Sequence, residues 1–149
     1  MRFMMLMIPG VYQGANGKKA RADFTPPADA VEKMTKYNES LAKAGALVSL
    51  DGLHPPVTGA RVSFTGGKPR VTDGPFTESK EVLGGYWMIK AKSMQEAIEW
   101  AKRVPAEESD TIEVRQVFDM EEFPEDVRKA ADNPTVMAEV EKHRSNSKH

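Results

Sequence analysis

Cysteine is absent from the chain, which excludes disulfide frameworks, thiolate metal sites and thiol nucleophiles together. Any chemistry falls to carboxylates, lysines, tyrosines, the three histidines or the backbone. An excess of charge of one sign is missing too. The formal net charge of −1 gives too weak a field to gather a polyanion against its counterions, so nucleic acid is not an expected partner. Long hydrophobic runs are also lacking. Phe3-Met-Met-Leu-Met-Ile8 stops at Pro9-Gly10, far short of a membrane span and without the cleavage site of a signal peptide. The expectation is a protein with no membrane partner, placed in the cytoplasm.

With 40% hydrophobic and 29% charged residues in a length of 149, the chain reads as one globular domain with a tail. Phe3 to Ile8 reads as a central strand buried on both faces. Val11 to Phe24 has no apolar period and carries Lys18, Lys19 and Arg21, which reads as a loop: a lid over an anionic ligand, or an ordinary solvated segment. Asp29 and Glu32 resemble a capping box. Val31, Met34, Asn38 and Leu41 share the helical face that follows, and Gly45 is a natural stop. Ala46 to Leu50 is a strand. Val62 and Phe64, Gly66-Gly67 and Arg70-Val-Thr72 make a hairpin. Leu83 to Lys90 is a further strand, with Gly84-Gly85 marking a bulge or a close approach. Ser93 and Glu96 form a second capping box before a helix that ends near Pro105, and Ile112 to Phe118 alternates as a last strand. Pro124 and Asn133-Pro134 start two short helices.

The order strand, helix, strand, hairpin, strand, helix, strand is a ferredoxin-like split βαβ plan: an α+β fold with a β-hairpin insertion and short C-terminal helices. Both helices fall on one sheet face. The other needs a cover, and a second copy of the chain is the expected one, so a homodimer is expected.

Asp73, Glu78, Lys80 and Glu81 lie within nine positions between a hairpin strand and a core strand. Phe76, Leu83, Tyr86 and Trp87 supply an apolar wall that would raise a carboxylate toward general-acid range, whereas Lys80 would hold one ionised. The plainer reading is a turn at Asp-Gly-Pro followed by a solvated charge run. His54 is the one histidine outside the C-terminal tail. It is a base if Asp73 orients it, and otherwise a turn residue beside Pro55-Pro56. Arg70 either pairs with Asp73 or a ligand carboxylate, or is an outward hairpin charge. A metal site from Asp51, His54 and Asp73 lacks any recognised ligand spacing, so no metal and no cofactor is expected. The methionines Met4, Met5, Met7, Met34 and Met88 read as core fillers.

The string Val71-Thr-Asp-Gly-Pro-Phe-Thr-Glu-Ser-Lys-Glu-Val-Leu-Gly-Gly-Tyr-Trp87, with Leu53-His-Pro-Pro56 upstream, resembles the signature of the DGPF branch of the YCII-related proteins. The resemblance spans roughly residues 1–120, leaving 121–149 as a C-terminal helical extension. It implies a dimeric α/β barrel with the signature loop beside a cleft. It also implies a connection with extracytoplasmic-function sigma factors, and a wider kinship that includes a dehydrochlorinase-like lyase. That lyase type pairs a histidine of the first helix with an aspartate after the second. Here the first helix offers Tyr37 and Asn38, and Arg103-Val-Pro-Ala106 follows the second, so the dyad does not carry over.

Two functions follow as expectations, and whether the chain is an enzyme stays open between them. One is a small-metabolite-binding protein or acid–base enzyme with Asp73, Glu78 and Lys80 as reacting groups, a weaker part for His54, and ligand contacts from Arg70, Phe76, Glu81 and Tyr86. The other is a non-catalytic regulatory or interaction module, partnered by a sigma factor.

Overall fold

The structure, a computed structural model, describes residues 1–17, 20–76 and 81–146. Lys18, Lys19, Glu78 and Lys80 lie outside the described residues. The chain divides into two compact units, Met1–Val117 and Phe118–His149.

In chain order the first unit holds strand β1 (Arg2–Ile8), a one-turn helix α1 (Gly14–Gly17), helix α2 (Ala28–Lys43) and strands β2 (Leu47–Gly52), β3 (Ala60–Thr65), β4 (Lys68–Asp73) and β5 (Gly85–Lys90). Helix α3 (Met94–Lys102) and strand β6 (Thr111–Gln116) complete it. The main sheet runs β2-β5-β1-β6 with every neighbour antiparallel. β3 and β4 pair with each other as a separate two-stranded sheet.

Strand alternation explains which residues meet the helices. Phe3 opposes Ile89, and Met5 opposes both Trp87 and Val114. These side chains share one face and form the core with Tyr37 and Leu41 of α2 and Ala97 of α3. A register shift between Leu47 and Ser49 inserts one extra residue into β2. That bulge lets Leu47 and Leu50, three apart in sequence, both pack against the core. The opposite face carries Met4, Leu6, Tyr86 and Met88, each half-buried, and neither α2 nor α3 packs on it.

Two helix starts differ from each other. Ser93 caps α3 by accepting from the Glu96 amide at 3.1 Å, while the Glu96 carboxylate accepts from the Lys92 amide at 2.6 Å. The box read at Asp29 and Glu32 does not form: α2 begins two residues earlier than that cap requires, after Pro27, with no side-chain cap. Pro27 supplies the extended backbone before the helix by its fixed φ, and Asp29 falls inside the first turn, where it complements the helix dipole. The segment read as a structureless loop holds a 3-10 turn at Gly10–Tyr12 and α1.

The barrel implied by the resemblance is not formed. Closing a sheet requires its outermost strands to pair, and β2 and β6 stand at opposite edges of an open sheet while the hairpin keeps its own. Helices on one face bury the core instead. The hairpin turns at Gly66 and Gly67, with φ of +63° and +76°, the geometry a tight two-residue connection needs. All residues of β3 and β4 are exposed. Among the described residues no helix is long and apolar enough to cross a membrane. That fact assigns no compartment, so the cytoplasmic placement finds no match in the structure and is withdrawn.

The second unit consists of a 3-10 turn at Met120–Glu122, helix α4 (Glu125–Ala131) and helix α5 (Pro134–Asn146). Asn133 caps α5 by accepting from the amides of Thr135 and Val136, both at 3.1 Å. Phe118 and Phe123 stack with centroids 4.9 Å apart.

Candidate functional site

The first unit contains a cleft of about 670 Å³ between α2, the stretches 9–12 and 24–27 and the helix-bearing face of the sheet. Its walls include Met7, Tyr12, Phe24, Met34, Leu50 and Trp87. The Trp87 indole donates to Asn38 Oδ1 at 2.8 Å, which satisfies its N–H at the wall. Tyr37 meets the Trp87 ring edge-on, with centroids 5.9 Å apart. The Tyr37 hydroxyl donates to the Trp100 carbonyl at 2.9 Å. Burial pushes that hydroxyl up to about 12, against an opposing pull from the Arg103 guanidinium. Tyr12, also raised by burial, packs edge-on against Phe24.

Three polar features shape this wall. Asp110 accepts from the Gly10 amide through one oxygen and the Glu107 amide through the other, each at 2.8 Å, joining the end of β1 to the loop before β6. Asp29 and Glu107 line the rim and are exposed. Gln13 works as a backbone surrogate: its amide nitrogen donates to the Pro9 and Val82 carbonyls at 2.7 and 2.8 Å, and its carbonyl accepts from the Val82 amide at 2.8 Å. Gln13 thereby stitches the residues after the Asp-Gly-Pro-Phe turn onto the segment that carries Tyr12. Val82 is buried with Tyr12 and Ala20 in a second small core.

The signature residues are spread over different surroundings. Asp73, the last residue of β4, is exposed and opposite Ala60. Arg70 is exposed opposite Ser63. Being three residues apart in one strand, Arg70 and Asp73 point to opposite faces of the hairpin. Gly74 donates its amide to the Gly59 carbonyl at 2.9 Å. A Cβ there would sit 1.8 Å from the Pro56 carbonyl oxygen, so the turn admits glycine alone. The Gly74–Pro75 peptide is cis. Phe76 lies under the Arg61 guanidinium, 4.0 Å from ring centroid to carbon. His54 and Glu81 are exposed.

Tyr86 donates its hydroxyl to Asp51 Oδ2 at 2.7 Å. That bond, more than burial, pushes the tyrosine above its ordinary range. Tyr86 opposes Leu6 and Asp51, and Trp87 opposes Met5 and Leu50. Alternation therefore puts the Tyr86–Asp51 pair on the sheet face away from Trp87, so Tyr86 and Asp51 reach the cleft wall through main-chain atoms. Of the residues singled out from sequence for a site, Tyr86, Trp87 and Asp51 are among the described cleft residues, whereas Asp73, Arg70, Phe76, His54 and Glu81 are not. Gln13 and Asp110 were not singled out. Their partners lie 69 and 100 positions away, a separation without a local sequence signal.

Among the described residues no group of three or more His, Asp or Glu is placed to hold a metal ion. An apolar concavity with few polar groups is suited to enclosing a small organic molecule. An uncharacterized protein of Rhizobium meliloti (strain 1021) is 37% identical over 69 residues. That alignment covers 46% of this chain and 56% of the relative, so the chain spans little more than half of that protein's length. The family model described as the YCII-related domain matches residues 1–121, and on that match the chain belongs to the YCII-related family.

Proposed function

We propose that this YCII-related chain binds a small molecule with a largely apolar body in the cleft beside α2. The observation that supports the reading is a concavity of about 670 Å³ walled by Tyr12, Phe24, Met34 and Trp87, within the usual range of ligand sites. Through Gln13 the signature segment braces one wall. Replacing Val31, which lines the cleft from α2 and is 47% exposed, by Trp should fill the space without opening the core. 2-Phenylethanol should raise the melting temperature of the unmodified chain at millimolar concentration and leave Val31→Trp unmoved. Equal shifts in both proteins would refute the assignment. A separate, catalytic reading gives acid–base work to Asp73, Glu78 and Lys80 in a ligand site of their own, since Asp73 does not line the cleft. The Asp73→Asn, Glu78→Gln double variant should then lose ligand-dependent stabilisation while remaining folded, and retention ends that reading.

A second reading, an interaction module, is favoured by two apolar surfaces left open among the described residues. On the hairpin, Val62 opposes Val71 and Phe64 opposes Pro69, with Phe64 79% exposed. The sheet face of Met4, Leu6 and Met88 is the surface proposed for self-association into a homodimer. The hairpin is the surface proposed for a sigma-factor partner. Phe64→Ser should abolish binding to a purified extracytoplasmic-function sigma factor, and unchanged binding would remove the hairpin from this role.

A further inference from the structure

The inference concerns which chemical class the cleft accepts, and it rests on the cleft reading above. Among the described residues lining the cleft, Asp29, Asp51, Glu107 and Asp110 carry carboxylates, and no lysine, arginine or histidine is present. The Asp51 side chain belongs to the opposite sheet face with Tyr86, which leaves three carboxylates on the cleft side. Asp110 is held by two neutral amides. Those bonds fix its orientation without cancelling its charge.

One feature opposes a negative field. The first turn of α2 also lines the cleft, and a helix start carries the equivalent of roughly +0.5 charge. Asp29 sits within that same turn, so its full charge offsets the dipole locally, and Glu107 and Asp110 remain uncompensated by any described cleft residue. The walls act in the same direction. Tyr12, Phe24 and Trp87 present aromatic rings, whose faces attract cations. An anion entering this cleft would lose water and meet carboxylates. An ammonium group would meet carboxylates at the rim while its hydrocarbon part entered the apolar walls.

We infer that the cleft selects an organic cation with an apolar or aromatic body, an arylalkylamine in class, over carboxylate or phosphate ligands. Asp29 and Glu107 are exposed, so the attraction is screened by water and salt and the discrimination is moderate.

The test titrates the intact chain at pH 7 with three probes of similar shape: 2-phenylethylamine, 2-phenylethanol and 3-phenylpropanoate, followed by calorimetry and tryptophan fluorescence. The amine should bind about tenfold more tightly than the carboxylate at low ionic strength, and the gap should close to about threefold or less in 0.5 M salt. In the Asp29→Asn, Glu107→Gln variant, whose two sites are exposed, the amine's advantage over the alcohol should fall about threefold, with Asp110 and the aromatic walls holding the remainder. A carboxylate that binds as tightly as the amine overturns the selectivity while leaving the cleft reading in place. So does an amine preference that the double variant leaves undiminished. Failure of all three probes to bind overturns the cleft reading together with the inference drawn from it.

Discussion

Tyr37 concentrates several constraints in one side chain. It packs edge-on against Trp87, donates to the Trp100 carbonyl and is buried to 6% exposure. Its raised pKa means the folded state holds the phenol proton more tightly than the unfolded chain does. The stabilisation is therefore complete below the ordinary tyrosine value of 10.0 and is lost as the pH rises through about 12. Chemical denaturation across that window should show a loss on the order of 1–3 kcal/mol beyond that of Tyr37→Phe. Parallel pH profiles for the two proteins would contradict this assignment. At neutral pH the Phe variant should lose about 1 kcal/mol for the missing hydrogen bond. That Tyr37 lies in the first helix was legible in the sequence, but the helical face read there, with Val31, Met34, Asn38 and Leu41, left it out. Its partner, a carbonyl 63 positions away, was not legible, because backbone acceptors carry no side-chain signature.

Elements whose signals are local were readable, and those defined by distant partners were not. The Gly66-Gly67 turn, the Ser93 cap and the Asn133-Pro134 helix start depend on neighbouring residues, and each is found where those residues stand. Asp29 and Glu32 had cap spacing too, yet Pro27 begins α2 ahead of them. The cleft's second wall was hidden because the segment from Pro9 to Phe24 has no periodicity. Its order comes from Gln13 and Asp110 reaching across the fold. Gln13→Ala should leave the secondary structure intact and cost about 1–3 kcal/mol, since the Val82 amide and carbonyl lose their partners. Hydrogen exchange should quicken at Val82 and Tyr12 while Phe3 and Ile89 stay protected. Uniform acceleration across β1 and β5 would show that Gln13 supports the whole sheet rather than this wall.

For the whole molecule, the family was legible in one contiguous string, whereas the proposed cleft was not. The described part of the string ends a hairpin, makes a glycine-restricted turn and opens β5, where Gly84, Gly85, Tyr86 and Trp87 line the cleft together with residues of α2 and of the stretches 9–12 and 24–27. The barrel expectation failed because the edge strands stay apart in an open sheet. The half-buried face of Met4, Leu6 and Met88 bears on assembly without requiring closure. Sedimentation at micromolar concentration should show a homodimer, and Leu6→Asp should shift it to monomer by placing a charge beside Glu113, its register neighbour. A monomer in the unmodified chain would end the self-association reading.

Ligand entry into the cleft beside α2 is best followed by amide and indole nuclear magnetic resonance. On addition of 2-phenylethylamine, the Trp87 indole and the amides of Tyr12 and Val31 should shift in a saturable way, while the hairpin amides of Val62 and Val71 stay in place. Shifts confined to the hairpin, or saturable binding that leaves the Trp87 indole unmoved, would contradict ligand entry into the cleft.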